Sequence, residues 1–177
     1  FKLWAKISMM IVDGKRDARE VANVLQDIVD GTGKLNVSHT RLVNTICLDS
    51  TKGSVTITEA DDVFTGHIDS DFQLWGTNVA GKDTLETGVS VYEQVRNGNL
   101  RTLFGSIGDL RSLCLTQGQI VEFCRTHSNL LRRQFCSNTH FLFEVESDLV
   151  VAEVTIHDGG HLAVNVSRFG SDHVWRS

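Results

Sequence analysis

From residue 116 onward the apolar positions recur first every three or four residues and then every two. Ile120, Phe123, Cys124, His127, Leu130 and Leu131 fall on one face of a helix. Thr116-Gln117-Gly118-Gln119, just before them, has the form of a capping box. In that motif the Thr116 hydroxyl accepts from the Gln119 N–H while the Gln119 side chain reaches back. Arg132 and Arg133 fall in the last turn, where they suit the negative end of the helix dipole. Three alternating segments follow, at 140–146, 149–157 and 161–169. The first sets Phe141, Phe143 and Val145 against Leu142, Glu144 and Glu146. The second sets Val150, Ala152, Val154 and Ile156 against Val151, Glu153 and Thr155. The third sets Leu162, Val164 and Val166 against Ala163, Asn165 and Ser167. A period of two with one apolar face predicts half-buried strands. Ser147-Asp148 and Asp158-Gly159-Gly160 supply tight-turn chemistry between them.

The rest of the chain is patterned less clearly. Phe1 to Val12 has helical spacing in Leu3, Trp4, Ile7, Met10 and Ile11, and Asp13-Gly14 breaks it. Asp17 to Glu20 reads as a second capping box, followed by an apolar stripe of Val21, Val24, Leu25, Ile28 and Val29 that Gly31 and Gly33 end. Residues 36–48 fit a short helix or the approach to a strand. Residues 54–58 read as a strand, 58–64 as the start of a short helix, and 77–87 as a polar loop. Residues 89–95 and 100–107 read as two short helices separated by Asn97-Gly98-Asn99. The predicted fold class is α+β, with N-terminal helices followed by a small antiparallel sheet, a C-terminal three-strand meander packed on one helix. The predicted organisation is a single domain over 1–177 with 1–33 as a helical-hairpin appendage. Any boundary falls near 31–36.

Several motifs carry a resemblance. They are Asp62 to Phe72 with Trp75-Gly76, Val91-Tyr92-Glu93, Phe104-Gly105, Leu115-Thr116-Gln117, Phe141-Leu142-Phe143, Val151 to Val154, and Arg168-Phe169 with Asp172 and Val174-Trp175. Together they resemble a family of hypothetical bacterial proteins over roughly residues 60 to 175. The resemblance implies a bacterial source and no activity, cofactor or partner. Members continue past the tryptophan into one more apolar strand, whereas this chain ends at Ser177 and opens on Phe1. The resemblance therefore implies a missing edge strand or an altered end, and the opening on Phe1 in place of Met leads us to expect a missing N-terminal piece.

Composition narrows the function classes. The chain of 177 residues is 41% hydrophobic and 22% charged, ordinary values for a globular protein. Its net charge of −5 argues against a nucleic-acid surface. Proline is absent, so the turns rest on Gly, Asn and Asp. The four cysteines, Cys47, Cys114, Cys124 and Cys136, do not have the spacing of a disulfide scaffold and read as cytoplasmic thiols. No apolar run approaches a membrane span of about 20 residues. No cofactor is expected.

The residues that bear chemistry cluster late. Cys124 and His127 lie three apart on one helical face, and Cys136 and His140 follow it, a set whose two thiolates and two imidazoles suit tetrahedral zinc. Against this, Cys124 and His127 lie on the apolar stripe, where free Cys is an ordinary core residue. Glu144, Glu146 and Glu153 share the polar sheet face and invite comparison with a Mg²⁺-dependent hydrolase. A solvated sheet face is the simpler reading. His157 and His161 flank a turn, and Asp69-Ser70-Asp71 is ordinary turn and cap chemistry. No nucleophile elbow, P-loop or dinucleotide fingerprint is present. A Cys–His nucleophile pair remains compatible with the composition. The expected function is non-catalytic: a binding or interaction module with a protein partner or a second copy of itself. The metal-dependent hydrolase is the alternative.

Overall fold

Strands appear at the three alternating segments, but they belong to a different architecture from the one the pattern suggests. The computed structural model describes residues 8, 12, 13, 18–29, 38–131, 138–170 and 174. The chain divides into two units, Phe1–Val37 and Ser38–Ser177. In the first, Ala18–Val29 forms helix α1, with Val21 and Leu25 half-buried and Ala22 and Asn23 exposed. Asp17, Gly31 and most of residues 1–12 lie outside the described residues.

The second unit interleaves helices with two sheets. Strands β1 (Thr40–Leu48) and β3 (Thr87–Gln94) form an antiparallel ribbon. Strands β2 (His67–Ile68), β4 (Thr139–Val145), β5 (Asp148–Ile156) and β6 (Leu162–Arg168) form a second sheet in the order β2-β6-β5-β4. Helices α2 (Asp71–Leu74), α3 (Leu100–Gly105) and α4 (Gln117–Thr126) lie between strands in sequence. N-terminal helices followed by a small antiparallel meander is therefore the wrong description. β2 runs parallel to β6 and makes the sheet mixed, and two further strands precede the long helix. Residues 89–95, expected as a helix, lie mostly in β3. The β-branched Val89 and Val91 with Tyr92 lose rotamer freedom in a helix and fit a pleated surface. Residues 54–58, expected as a strand, lead into a single 3₁₀ turn at Ile57–Glu59.

Helix α4 starts at the predicted capping box, with the Gln119 N–H donating to Thr116 Oγ1 at 3.2 Å and the Thr116 N–H donating to Gln119 Oε1 at 3.0 Å. It stops earlier than the stripe suggests. The Thr126 hydroxyl bonds back to the Glu122 carbonyl at 2.7 Å, and Ser128–Leu130 tightens into a 3₁₀ turn. Such side-chain bonds give the backbone an alternative to the helical ladder. Arg132 and Arg133 lie outside the described residues.

The four-stranded sheet is covered on both faces. On one, Phe141, Phe143, Ala152, Val154 and Val164 pack with Ile120, Phe123 and Cys124 of α4 and with Ile57 and Phe72. Phe123 meets Phe141 edge-on at 5.1 Å between ring centroids. On the other, Leu142 and Val151 pack with Leu100 of α3 and Phe169. The apolar residues at outward positions are thus core, and only the remainder of that face is polar.

One side chain joins this core to its loops. The buried Gln117, in the first turn of α4, accepts from the Ile57 N–H at 2.9 Å. Its amide donates to the Thr77 carbonyl at 2.8 Å and the Val79 carbonyl at 3.2 Å. Gly118 beside it makes the close approach possible, because a Cβ there would stand 3.0 Å from the Lys52 carbonyl oxygen. Gln117→Leu keeps most of the volume and orphans two buried backbone groups. Stability measured by urea unfolding should fall by about 2–4 kcal/mol. A loss below about 1 kcal/mol would show that the loops satisfy themselves without Gln117.

Candidate functional site

A cavity of about 740 Å³ runs between the two sheets. All eight residues of β3 line it, and so do the five consecutive residues 138–142 at the start of β4. A cavity over one face of a strand would touch every second residue, because side chains alternate. Contact with consecutive residues is what a groove along the strand edges gives, and Thr40 and Val43 of β1 show that it also reaches across the ribbon. β3 pairs with β1 on its other side, and β4 pairs with β5 on its other side. The floor and ends come from α3 and the chain entering α4, including Phe104, Leu113, Cys114 and Leu115. The Leu115 N–H donates to the Leu142 carbonyl at 2.8 Å, so neighbouring backbone already uses part of the outer edge of β4. The walls are chiefly apolar, and no Lys or Arg lines the groove among the described residues.

A polar group closes one end. Asn138 donates from Nδ2 to Glu153 Oε2 at 3.0 Å and accepts from the Thr155 hydroxyl at 2.9 Å. His140 and Asn165 flank Glu153 in register on β4 and β6.

The expected carboxylate cluster does not assemble. Glu144 is exposed and forms an ion pair with Arg111. Glu146 sits in the β4–β5 turn at φ 51°, followed by Ser147 at φ 89°, the positive pair that a type I′ hairpin requires. Glu153 is buried opposite His140, while Glu144 stands opposite Leu149. Four residues along β4 separate those rows, about 13 Å at strand rise.

The expected zinc set is divided by the sheet. Cys124 is in the core beneath Phe141, whereas His140 alternates to the opposite face. His127 caps α4, with its ring 5.9 Å from that of Phe123 and Nδ1 2.7 Å from the Thr126 hydroxyl. Cys136 lies outside the described residues. Among the described residues, no group of three or more His, Cys, Asp or Glu is arranged to hold a metal ion. His161 Nδ1 is 2.9 Å from the Thr65 hydroxyl, and Asp69 accepts from the Asp71 and Val166 N–H groups. Those residues fasten loops.

Among the described residues, no activated thiol lines the groove. Burial, then the Glu144 carboxylate, push the Cys114 thiol up from the ordinary 9.0 to about 11, against the lowering effect of Arg111. Burial alone raises Cys124 to about 12. Cys47 is exposed and also raised, first by its hydrogen bond to Glu86. A nucleophilic Cys needs a depressed value, so these three remain thiols at neutral pH. The groove walls themselves were missed in the sequence. The alternation of Val89 and Val91 was the available signal, and reading 89–95 as a helix obscured it.

No protein-family model, curated protein or solved structure matches this chain.

Alkylation by iodoacetamide, mapped by mass spectrometry across pH, should show Cys114 reactivity rising towards about 11. A midpoint at or below the ordinary 9.0 would contradict the assignment. The folded chain holds the Cys114 and Cys124 protons more tightly than the unfolded chain. Their contribution to stability is therefore complete below 9.0 and is lost as pH rises through about 11 and about 12.

Proposed function

We propose that this protein is a non-catalytic binding module of a bacterial cytoplasm, and that its groove receives an extended segment of a partner polypeptide as an added strand. The observation that carries the proposal is the pair of strand edges lining one cavity. A strand seated there would connect β2-β6-β5-β4 to β3-β1 as one sheet. Main-chain hydrogen bonds would supply affinity, and the apolar walls would select alternate side chains. The volume lies within the range of binding sites, about 300–1,000 Å³. The separated carboxylates and raised thiols favour binding over chemistry. The bacterial source comes from the family resemblance. The cysteine spacing, which is not that of a disulfide scaffold, supports a reducing compartment. No helix among the described residues is long and apolar enough to cross a membrane.

A random heptapeptide library selected on the immobilised full chain tests this reading. The enriched peptides should alternate apolar and polar residues. Methylating their backbone nitrogens at alternate positions should weaken binding at least about tenfold, or 1.4 kcal/mol, in one phase and little in the other. Ser90→Arg, at an exposed position lining the groove, should weaken it similarly. No enrichment, or selected peptides indifferent to both changes, would sink the proposal.

A further inference from the structure

Glu93 lines the groove and Glu144 and Glu153 lie on β4 and β5, and two of the three already have counter-cations. Glu93 pairs with Arg41 at 2.6 Å, and Glu144 pairs with Arg111. Glu153 has no cationic partner among the described residues. It is only 5% exposed, and its Oε1 accepts no hydrogen bond. Asn138 serves only one of the two oxygens. Its amide is committed to Oε2, and the Thr155 hydroxyl fixes its orientation. A buried carboxylate oxygen without a donor is unfavourable, and such orphans in folded proteins ask for an explanation.

The position of this orphan suggests the explanation. Asn138 and His140 line the groove, and Glu153 stands in register beside His140 and directly behind Asn138. Glu153 Oε1 accepts no hydrogen bond and no Lys or Arg among the described residues lines the groove, so a donor carried by a ligand would satisfy it.

Resting on the added-strand reading above, we infer that Glu153 is the position at which the groove reads charge, and that it takes an ammonium or guanidinium group from a side chain of the added strand. The ligand is thus an extended segment with one Lys or Arg placed to reach the Asn138–His140 end. Such a side chain can lay its apolar stem along the groove wall while its head reaches the carboxylate. A charged hydrogen bond in a desolvated site is among the stronger polar contacts. The net charge of −5 favours the approach of a basic segment.

The experiment is the heptapeptide selection run in parallel on the wild-type chain and on Glu153→Gln, which preserves shape and the Asn138 contact. The wild-type pool should carry Lys or Arg at one fixed position at least tenfold more often than Gln or Met. The Glu153→Gln pool should keep the apolar alternation and lose that preference. An alternating wild-type pool with no basic position, or a preference that survives Glu153→Gln, overturns this inference and leaves the groove reading standing. A pool with no enrichment at all overturns both. Should Glu153→Gln not fold, carbon-13 NMR of the wild-type chain decides. The Glu153 carboxyl resonance should shift with a selected Lys peptide and stay still with its norleucine counterpart. Equal shifts would refute the assignment.

Discussion

The buried Gln117 carboxamide is the joint on which the second unit turns. Helix α4 covers one face of the sheet through Ile120 and Phe123, and that contact is apolar and non-directional. It does not by itself fix where the preceding loops lie. Gln117 does so by meeting three backbone groups, at Ile57, Thr77 and Val79, from one side chain. The Ile57 N–H and the Thr77 carbonyl are groups that burial would otherwise leave without water or partner. Because Gln117 sits in the first turn of α4, the capping box next to it sets the direction of the helix and of the carboxamide together. The chain entering α4 then crosses the edge of β4, where Leu115 takes the Leu142 carbonyl.

That crossing shapes the groove. Past Leu142 the outer edge of β4 is next to the chain that leads into α4, so the cavity follows only the beginning of the strand, at 138–142. On the other wall, β3 presents its whole length. The two sheets are separate because nothing in the described residues pairs β3 with β4. Each therefore keeps an edge, and an edge is a row of oriented donors and acceptors with a strong preference for extended backbone. Apolar walls alone would suit many ligands. Edges on both sides are the feature on which the proposal of an added strand rests.

The sequence disclosed its local rules better than its long-range ones. Phe141, Phe143 and Val145 alternate with a clean period, and β4 forms there because one face must pack on α4. Thr116 and Gln119 announced their capping box because its contacts lie within four residues. Leu142 and Val151 were legible as apolar residues but not as core, since the cover that buries them comes from Leu100 and Phe169, far away in sequence. The parallel pairing of His67 with Ala163 left no local trace, being a two-residue strand. The candidate site was least legible of all. Glu144, Glu146 and Glu153 look alike in a string, and their separation depends on register, a turn and an ion pair. Of the three, only Glu153 enters the proposed site, and for a different reason from clustering.

The exposed ribbon also explains which edge is available. A two-stranded ribbon is marginal alone, and β1 is exposed over most of its length, with Leu42 and Val43 at 53% and 52%. Such an edge invites unwanted pairing. The register shift between Leu42 and Asn44 interrupts the outer strand at that point, and a bulge bends a strand and raises its local twist. Arg41 adds a charge beside it. β3 has no such irregularity in its register with β1, and its free edge faces the groove. The register shift and the charge thus fall on β1, while β3 lines the cavity along its whole length.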